Sequence, residues 1–178
     1  MRRIRVGISA CLLGQEVRYD GGHERNRSVI EAFGRFVEWV PVCPEFEMGL
    51  GVPREPIQVV RTGPRAVRLL GVRSKADHTA TMRKYAKQRL DALAALDLCG
   101  YIFKKNSPSC GLSGVPAWNP DGSAATSGKG LFAAALVKRF PDLPVEEEGR
   151  LADARVREEF IERVLACARH RHRARHHV

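Results

Sequence analysis

The chain predicts an α/β fold: one domain on a largely parallel, Rossmann-like sheet flanked by helices, plus a β-hairpin. Three observations predict it. Short apolar runs at residues 4–10, 36–42 and 98–103 alternate with segments of helical periodicity. Residues 57–61 and 66–70 flank Thr62-Gly63-Pro64-Arg65, a turn between two strand-like runs. The 178 residues, 44% hydrophobic and 28% charged, suit one globular domain and exclude a disordered chain. No internal repeat stands out.

Residues 4–10 are short and apolar and run up to Gly14, which suits a first buried strand. Val29, Ile30, Phe33 and Phe36 recur at helical spacing, so residues 28–36 read as a helix. Residues 36–42 are β-branched and aromatic, a second strand. Asp77 caps a long helix whose inner face carries Met82, Ala86, Leu90 and Leu93. Residues 98–103 are another strand. Residues 104–130 are rich in Gly, Ser, Pro and Asn and read as a long loop, a length usually tied to function or disorder. Residues 131–140 form a helix stopped before Pro141. Glu146-Glu147-Glu148 read as a solvated loop before a last helix opened by Asp153, with Val156, Phe160, Ile161 and Val164 on one face. Glu158 and Glu159 near its start and arginines near its end match the helix macrodipole.

The net charge is +10. Part of it is local: Arg169, Arg171, Arg173 and Arg175 alternate with His170, His172, His176 and His177. Residues 1–168 therefore read as the folded domain and 169–178 as a basic tail, a frayed solvated helix end. Nucleic-acid contact by that tail is possible but not favoured. The body stays basic without it, which favours an anionic partner. The longest apolar run, residues 131–137, is far too short to span a bilayer, so no membrane association is expected. Arg2, Arg3 and Arg5 before Ile8-Ser9-Ala10-Cys11 mimic a lipoprotein signal. The apolar stretch there is only Val6-Gly7-Ile8, against the roughly 7–15 residues a secretory signal needs. The expected location is the cytoplasm, with reduced cysteines.

Five cysteines occur. Cys11, Cys43 and Cys110 each follow a predicted strand, and loops after parallel strands gather at the carboxyl edge of a sheet. Cys99 inside a strand and Cys167 on the apolar side of the last helix read as small buried hydrophobes. Three converging thiols can hold zinc with an open position, hold an iron–sulfur cluster with one iron left free, or supply one activated nucleophile. They can also simply pack in a core. A redox dithiol of the Cys-x-x-Cys kind is absent. Pro and Gly around Cys43 and Cys110 fix backbone rather than fill space, which favours a site.

Glu45 lies two residues after Cys43 and suits general acid–base work, or is a surface carboxylate. Ser109 precedes Cys110 and can relay a proton, or bond its own turn. In Arg18-Tyr19-Asp20-Gly21-Gly22-His23, Asp20 can fix the turn and Arg18 can meet an anion. His23 is either a fourth ligand or polar surface. Gly128-Lys129-Gly130 before a helix is a weak phosphate-binding signal.

Seven segments in order resemble one domain family: Ser9-Ala10-Cys11-Leu12-Leu13-Gly14, Val17-Arg18-Tyr19-Asp20-Gly21-Gly22, Cys43-Pro44-Glu45, Gly51-Val52-Pro53-Arg54-Glu55, Tyr101-Ile102-Phe103-Lys104, Ser107-Pro108-Ser109-Cys110-Gly111 and Val145-Glu146-Glu147-Glu148-Gly149-Arg150-Leu151. Over residues 4–165 the chain resembles the DUF523 family, which includes the thiouracil desulfidases. The resemblance implies a [4Fe-4S] cluster held by Cys11, Cys43 and Cys110, its fourth iron free for a thiocarbonyl sulfur. It implies proton transfer by Glu45 and Ser109; from their own turn, Arg18 and Asp20 are the expected substrate contacts. The implied substrate is a small thiolated nucleobase or nucleoside, and the implied reaction is 2-thiouracil plus water to uracil plus sulfide, with no net redox change. Two alternatives stand: a zinc hydrolase on the same cysteines, with or without His23, and a non-catalytic nucleic-acid binder using the tail.

Overall fold

The computed structural model describes residues 3–175. In chain order the elements are β1 (Ile4–Ser9), α1 (Arg27–Phe33), β2 (Val37–Val42), β3 (Ile57–Arg61), β4 (Val67–Gly71), α2 (Thr79–Ala94), β5 (Gly100–Phe103), β6 (Val115–Trp118), β7 (Ala124–Gly128), α3 (Leu131–Arg139), β8 (Val145–Glu147) and α4 (Ala154–Arg175). Sheet A runs β2-β1-β5-β8 with every pairing parallel. Sheet B runs β4-β3-β6-β7, with the predicted β3–β4 hairpin antiparallel and β3–β6 parallel. The α/β class with an added hairpin is what the sequence predicts.

Alternation along β5 separates the two cores. Tyr101 and Phe103 face one side of sheet A, with Met82 and Leu93 of α2, Phe132 and Leu136 of α3, and Val59, Leu69 and Val115 of sheet B. Ile102 faces the other side, with Val6 and Ile8 of β1, Phe33 of α1, and Phe160 and Val164 of α4. The Phe33 and Phe160 rings meet edge-on at 5.8 Å. The helix starts use carboxylates as foreseen: Asp77 Oδ1 accepts from Thr79 N at 2.9 Å, and Asp153 Oδ1 accepts from Arg155 N at 2.8 Å. Glu158 and Glu159 lie beyond the first turn of α4, so Asp153 supplies the charge there.

Two local expectations are corrected. Residues 104–130 are not one loop. They contain β6 and β7, paired antiparallel with Ala117 opposite Ala125. Pro116 and the Ala/Ser/Gly composition give weak strand propensity. Pairing of Val59 with Ala117 across sheet B and burial of Val115 and Ala117 supply what propensity does not. Nor are Glu146, Glu147 and Glu148 solvated: they are 5–7% exposed and lie on or just past β8. The basic tail continues α4 through Arg175, with Arg171 Nη1 on Asp97 Oδ1 at 3.2 Å. Arg2, His176 and His177 lie outside the described residues. Among the described residues no helix is long and apolar enough to cross a membrane.

Candidate functional site

Because sheet A is parallel, the loops after β1, β2 and β5 open on the same edge. There a cavity of about 300 Å³ is lined by Cys11, Cys43 and Cys110 together with Glu45, Ser109, Arg18, Arg54 and Lys104. Each cysteine is set by its own local device. Cys11 sits in one tight turn, Ala10–Leu13, closed where Gly14 N donates to Cys11 O and held down by buried Leu12. Cys43 follows β2 directly. Its N–H donates to Glu47 Oε1 at 2.9 Å, and Glu47 is itself held by Tyr85 Oη at 2.7 Å and Arg89 Nε at 3.1 Å from α2.

Cys110 lies on a loop that is pinned along its length. At one end Glu148 accepts from Lys105 N at 2.7 Å and pairs Lys104 Nζ at 3.0 Å. At the other, Glu147 Oε1 accepts from Leu112 N at 2.7 Å and Ser113 N at 3.1 Å. In the middle, Ser107 Oγ accepts from Cys110 N at 3.0 Å. The start of α3 docks on the same loop: Leu131 N donates to Pro108 O at 3.1 Å, and Phe132 N donates to Ser109 O at 3.0 Å. A Cβ on Gly130 would lie 2.5 Å from the Ser109 carbonyl carbon, so only glycine permits that approach. The helix start raised as a phosphate site therefore spends its N–H groups on the Ser109–Cys110 loop.

Glu45 is the centre of the polar network. Its Oε1 accepts from Ser109 Oγ at 2.9 Å, and its Oε2 accepts from Arg54 Nε at 3.0 Å and Nη2 at 2.9 Å. The Arg54 and Glu45 side chains are 6% and 12% exposed. Arg54 Nη1 also donates to Val17 O at 3.0 Å and Gly51 O at 2.9 Å, tying the loops after β1 and β2 together. Ser107 Oγ lies 3.1 Å from Ser109 Oγ. With its single proton on Glu45, Ser109 can accept from Ser107.

The thiols feel their burial and one another. Burial, then Cys43, pushes the Cys11 thiol up to about 11, with Lys104 and Arg18 pulling the other way. Burial likewise raises Cys43. Burial and then Cys43 raise Cys110, opposed by the Ser109 and Ser9 hydroxyls. Cys43 thus acts on both of the other thiols. Among the described residues no group of three or more His, Cys, Asp or Glu is arranged to hold a single metal ion.

Arg18 lines the cavity, paired with Glu24 and, at 3.6 Å, with Asp20. Asp20 lies outside that lining and accepts from Gly22 N at 3.0 Å, fixing the turn. His23 is exposed, its Nδ1 accepting from Arg25 N. Sequence pattern alone assigns no role to Arg54, Glu47 or Ser107. Arg54 and Ser107 stand inside two of the quoted motifs, the one signal pointing to them.

The sequence model of the 2-thiouracil desulfurase family matches residues 6–148. The chain belongs to the 2-thiouracil desulfurase family. A curated relative of Bacillus subtilis (strain 168), the uncharacterized protein YbbK, is 30% identical over 133 residues, 72% of this chain and 87% of its own. A solved structure, the [4Fe-4S]-dependent thiouracil desulfidase TudS, superposes with a TM-score of 0.63 at 32% identity, covering 84% of this chain and 94% of that one. The residues matched to the 2-thiouracil desulfurase family include the three cavity cysteines, Glu45, Arg54, Ser109 and the buried glutamates. They stop short of α4.

Proposed function

We propose that this chain is a [4Fe-4S]-dependent desulfidase that replaces the sulfur of a small thiocarbonyl compound, such as 2-thiouracil or a related thiolated nucleobase or nucleoside, with oxygen from water. The observation that carries the reading is one cavity lined by Cys11, Cys43 and Cys110 beside the hydrogen-bonded pair Glu45–Ser109. The likeness to TudS supports it. The donor set fits the group: three desolvated thiols from three loops, with no other cysteine in the lining. When bound, the cluster supplies an iron lacking a protein thiolate, a Lewis acid suited to soft sulfur.

Everything else falls to the chain. Arg54 occupies Glu45 Oε2 and leaves Oε1 facing Ser109. Glu45 Oε1 takes the proton of the attacking water as general base. Ser109, donating to Glu45 and able to accept from Ser107, moves protons between that carboxylate and the substrate ring. Arg18 meets the polar edge of the substrate, and Asp20 acts by fixing the turn that carries Arg18. One C=S bond is exchanged for C=O, hydrogen sulfide leaves, and no oxidation state changes. Free thiols of this kind suit the reducing cytoplasm.

Anaerobic reconstitution tests the proposal. The expected product is brown protein with about four irons per chain that releases sulfide from 2-thiouracil. Each of Cys11→Ser, Cys43→Ser and Cys110→Ser loses iron and activity, and Cys99→Ser keeps both. A colourless zinc protein, or full iron retention in Cys43→Ser, overturns it.

A further inference from the structure

The two remaining cysteines meet at the opposite edge of sheet A. Cys99 directly precedes β5, is 5% exposed, and donates its backbone N–H to Arg5 O at 2.8 Å. Here α4 presses on the sheet: a Cβ on Gly100 would lie 2.8 Å from Val164 Cγ2. Cys167 is three residues after Val164, on the same helix face. The close approach brings Cys167 toward Cys99: both belong to the core cluster on this face of the sheet. Asp97 and Arg171 complete the cluster: Cys99 Sγ lies 3.7 Å from Asp97 O, and Arg171 Nη1 reaches Asp97 Oδ1 at 3.2 Å. A cleft of about 120 Å³ lined by Cys99, Asp97, Arg171 and His172 reaches solvent beside Cys99, and Cys167 is half-buried.

We infer that Cys99 and Cys167 are a redox modification site, a dithiol that a peroxide converts to a disulfide. The Cys167 sulfur is the nucleophile. Its partner Cys99, then Arg171 and His170, lower the Cys167 thiol against its burial, and Cys99 is raised in turn. The Cys167 thiolate attacks one peroxide oxygen. The O–O bond breaks, hydroxide leaves, and Cys167 becomes a sulfenic acid. The Cys99 sulfur then attacks the Cys167 sulfur, the S–O bond breaks, and the Cys99 proton departs with the hydroxyl as water. Two thiols and one hydrogen peroxide give one disulfide and two waters, two electrons passing from sulfur to peroxide. Cys167 lies on α4, outside the family-matched residues. It takes up oxidant at the edge of the sheet away from the cavity.

The test uses the full wild-type chain and a small excess of hydrogen peroxide, quenched with iodoacetamide, digested with trypsin and analysed by mass spectrometry. The expected product is a disulfide-linked pair of peptides, residues 90–104 and 164–169, with Cys99 and Cys167 no longer alkylated. Linking vanishes in Cys99→Ser, and Arg171→Met slows it several-fold without lowering the melting temperature to the point of unfolding. Three outcomes overturn the inference: Cys167 carried to sulfinic acid with Cys99 alkylated, either cysteine linked to a cavity cysteine or to a second chain, or no change in either thiol. The readout does not involve desulfidase activity, so its failure and that of the cluster reading are separable.

Discussion

At the carboxyl edge of sheet A, three strands deliver Cys11, Cys43 and Cys110 in loops. At the amino edge, Cys99 and Cys167 sit at a strand start and on a helix that pack directly. The loops needed dedicated anchors. Glu47, Glu147, Glu148, Ser107 and the start of α3 all spend hydrogen bonds on backbone near Cys43 or Cys110. At the amino edge Val164 packed against Gly100 sets the spacing, with Arg171 on Asp97 as its polar tie. The chemistry differs accordingly. Burial raises the cavity thiols, whereas at the other edge Cys167 has a thiol partner and a guanidinium that hold it down. A rim of anchored loops suits binding something between them, and two packed elements suit a bond between themselves.

The comparison can be broken first at Glu45. Glu45→Gln is expected to lower sulfide release by about 10²–10⁴-fold, the scale of a lost general base. Iron content and peroxide linking of Cys99 to Cys167 stay at the wild-type level. Loss of iron in that variant would show that Glu45 builds the rim rather than serving the reaction. Next, Arg54→Ala leaves Glu45 nearly buried without its cation. Urea denaturation should show a loss of about 3–5 kcal/mol, against about 1 kcal/mol for Cys167→Ser, the usual scale of a single substitution at a half-buried site.

Glu147→Ala sharpens the comparison further. Leu112 N and Ser113 N lose their acceptor, at about 1–3 kcal/mol, and hydrogen exchange should quicken at those two amides while Cys99 N stays protected. The smallest effect is a control away from both edges. Hydrogen bonds from the Ser74 hydroxyl and from Ser74 N and Arg73 N hold the Glu55 carboxyl at about 2, below its ordinary 4.5. A depressed carboxylate stabilises the fold above about pH 4.5 and stops doing so as pH falls toward 2. Thermal melts of Glu55→Gln should flatten in that window, and an unchanged acid limb would refute the assignment.

Much of this was legible. Apolar runs placed β1, β2 and β5, and parallel topology then required the loops holding Cys11, Cys43 and Cys110 to share an edge. Glu45 and Ser109 were legible as neighbours of cysteines. The β6–β7 hairpin was not, because Pro116 and a run of small residues carry almost no strand signal until β3 pairs with them. The buried glutamates were misread for a related reason. Three adjacent carboxylates look solvated until backbone N–H groups of a distant loop arrive to hold them. Cys99 and Cys167 looked like separate apolar residues, since nothing in a separation of that length announces a contact.

The sequence by itself determined the strand and helix periodicities, the cysteines, the acid and the hydroxyl, because each is a matter of residue type and local spacing. Only the tertiary structure decided that Arg54 clamps Glu45, that α3 docks its first N–H groups on the Ser109 loop, and that α4 sets Cys167 against Cys99. Each of those depends on contacts between segments far apart in the chain, and local pattern carries no record of which distant surfaces close against one another.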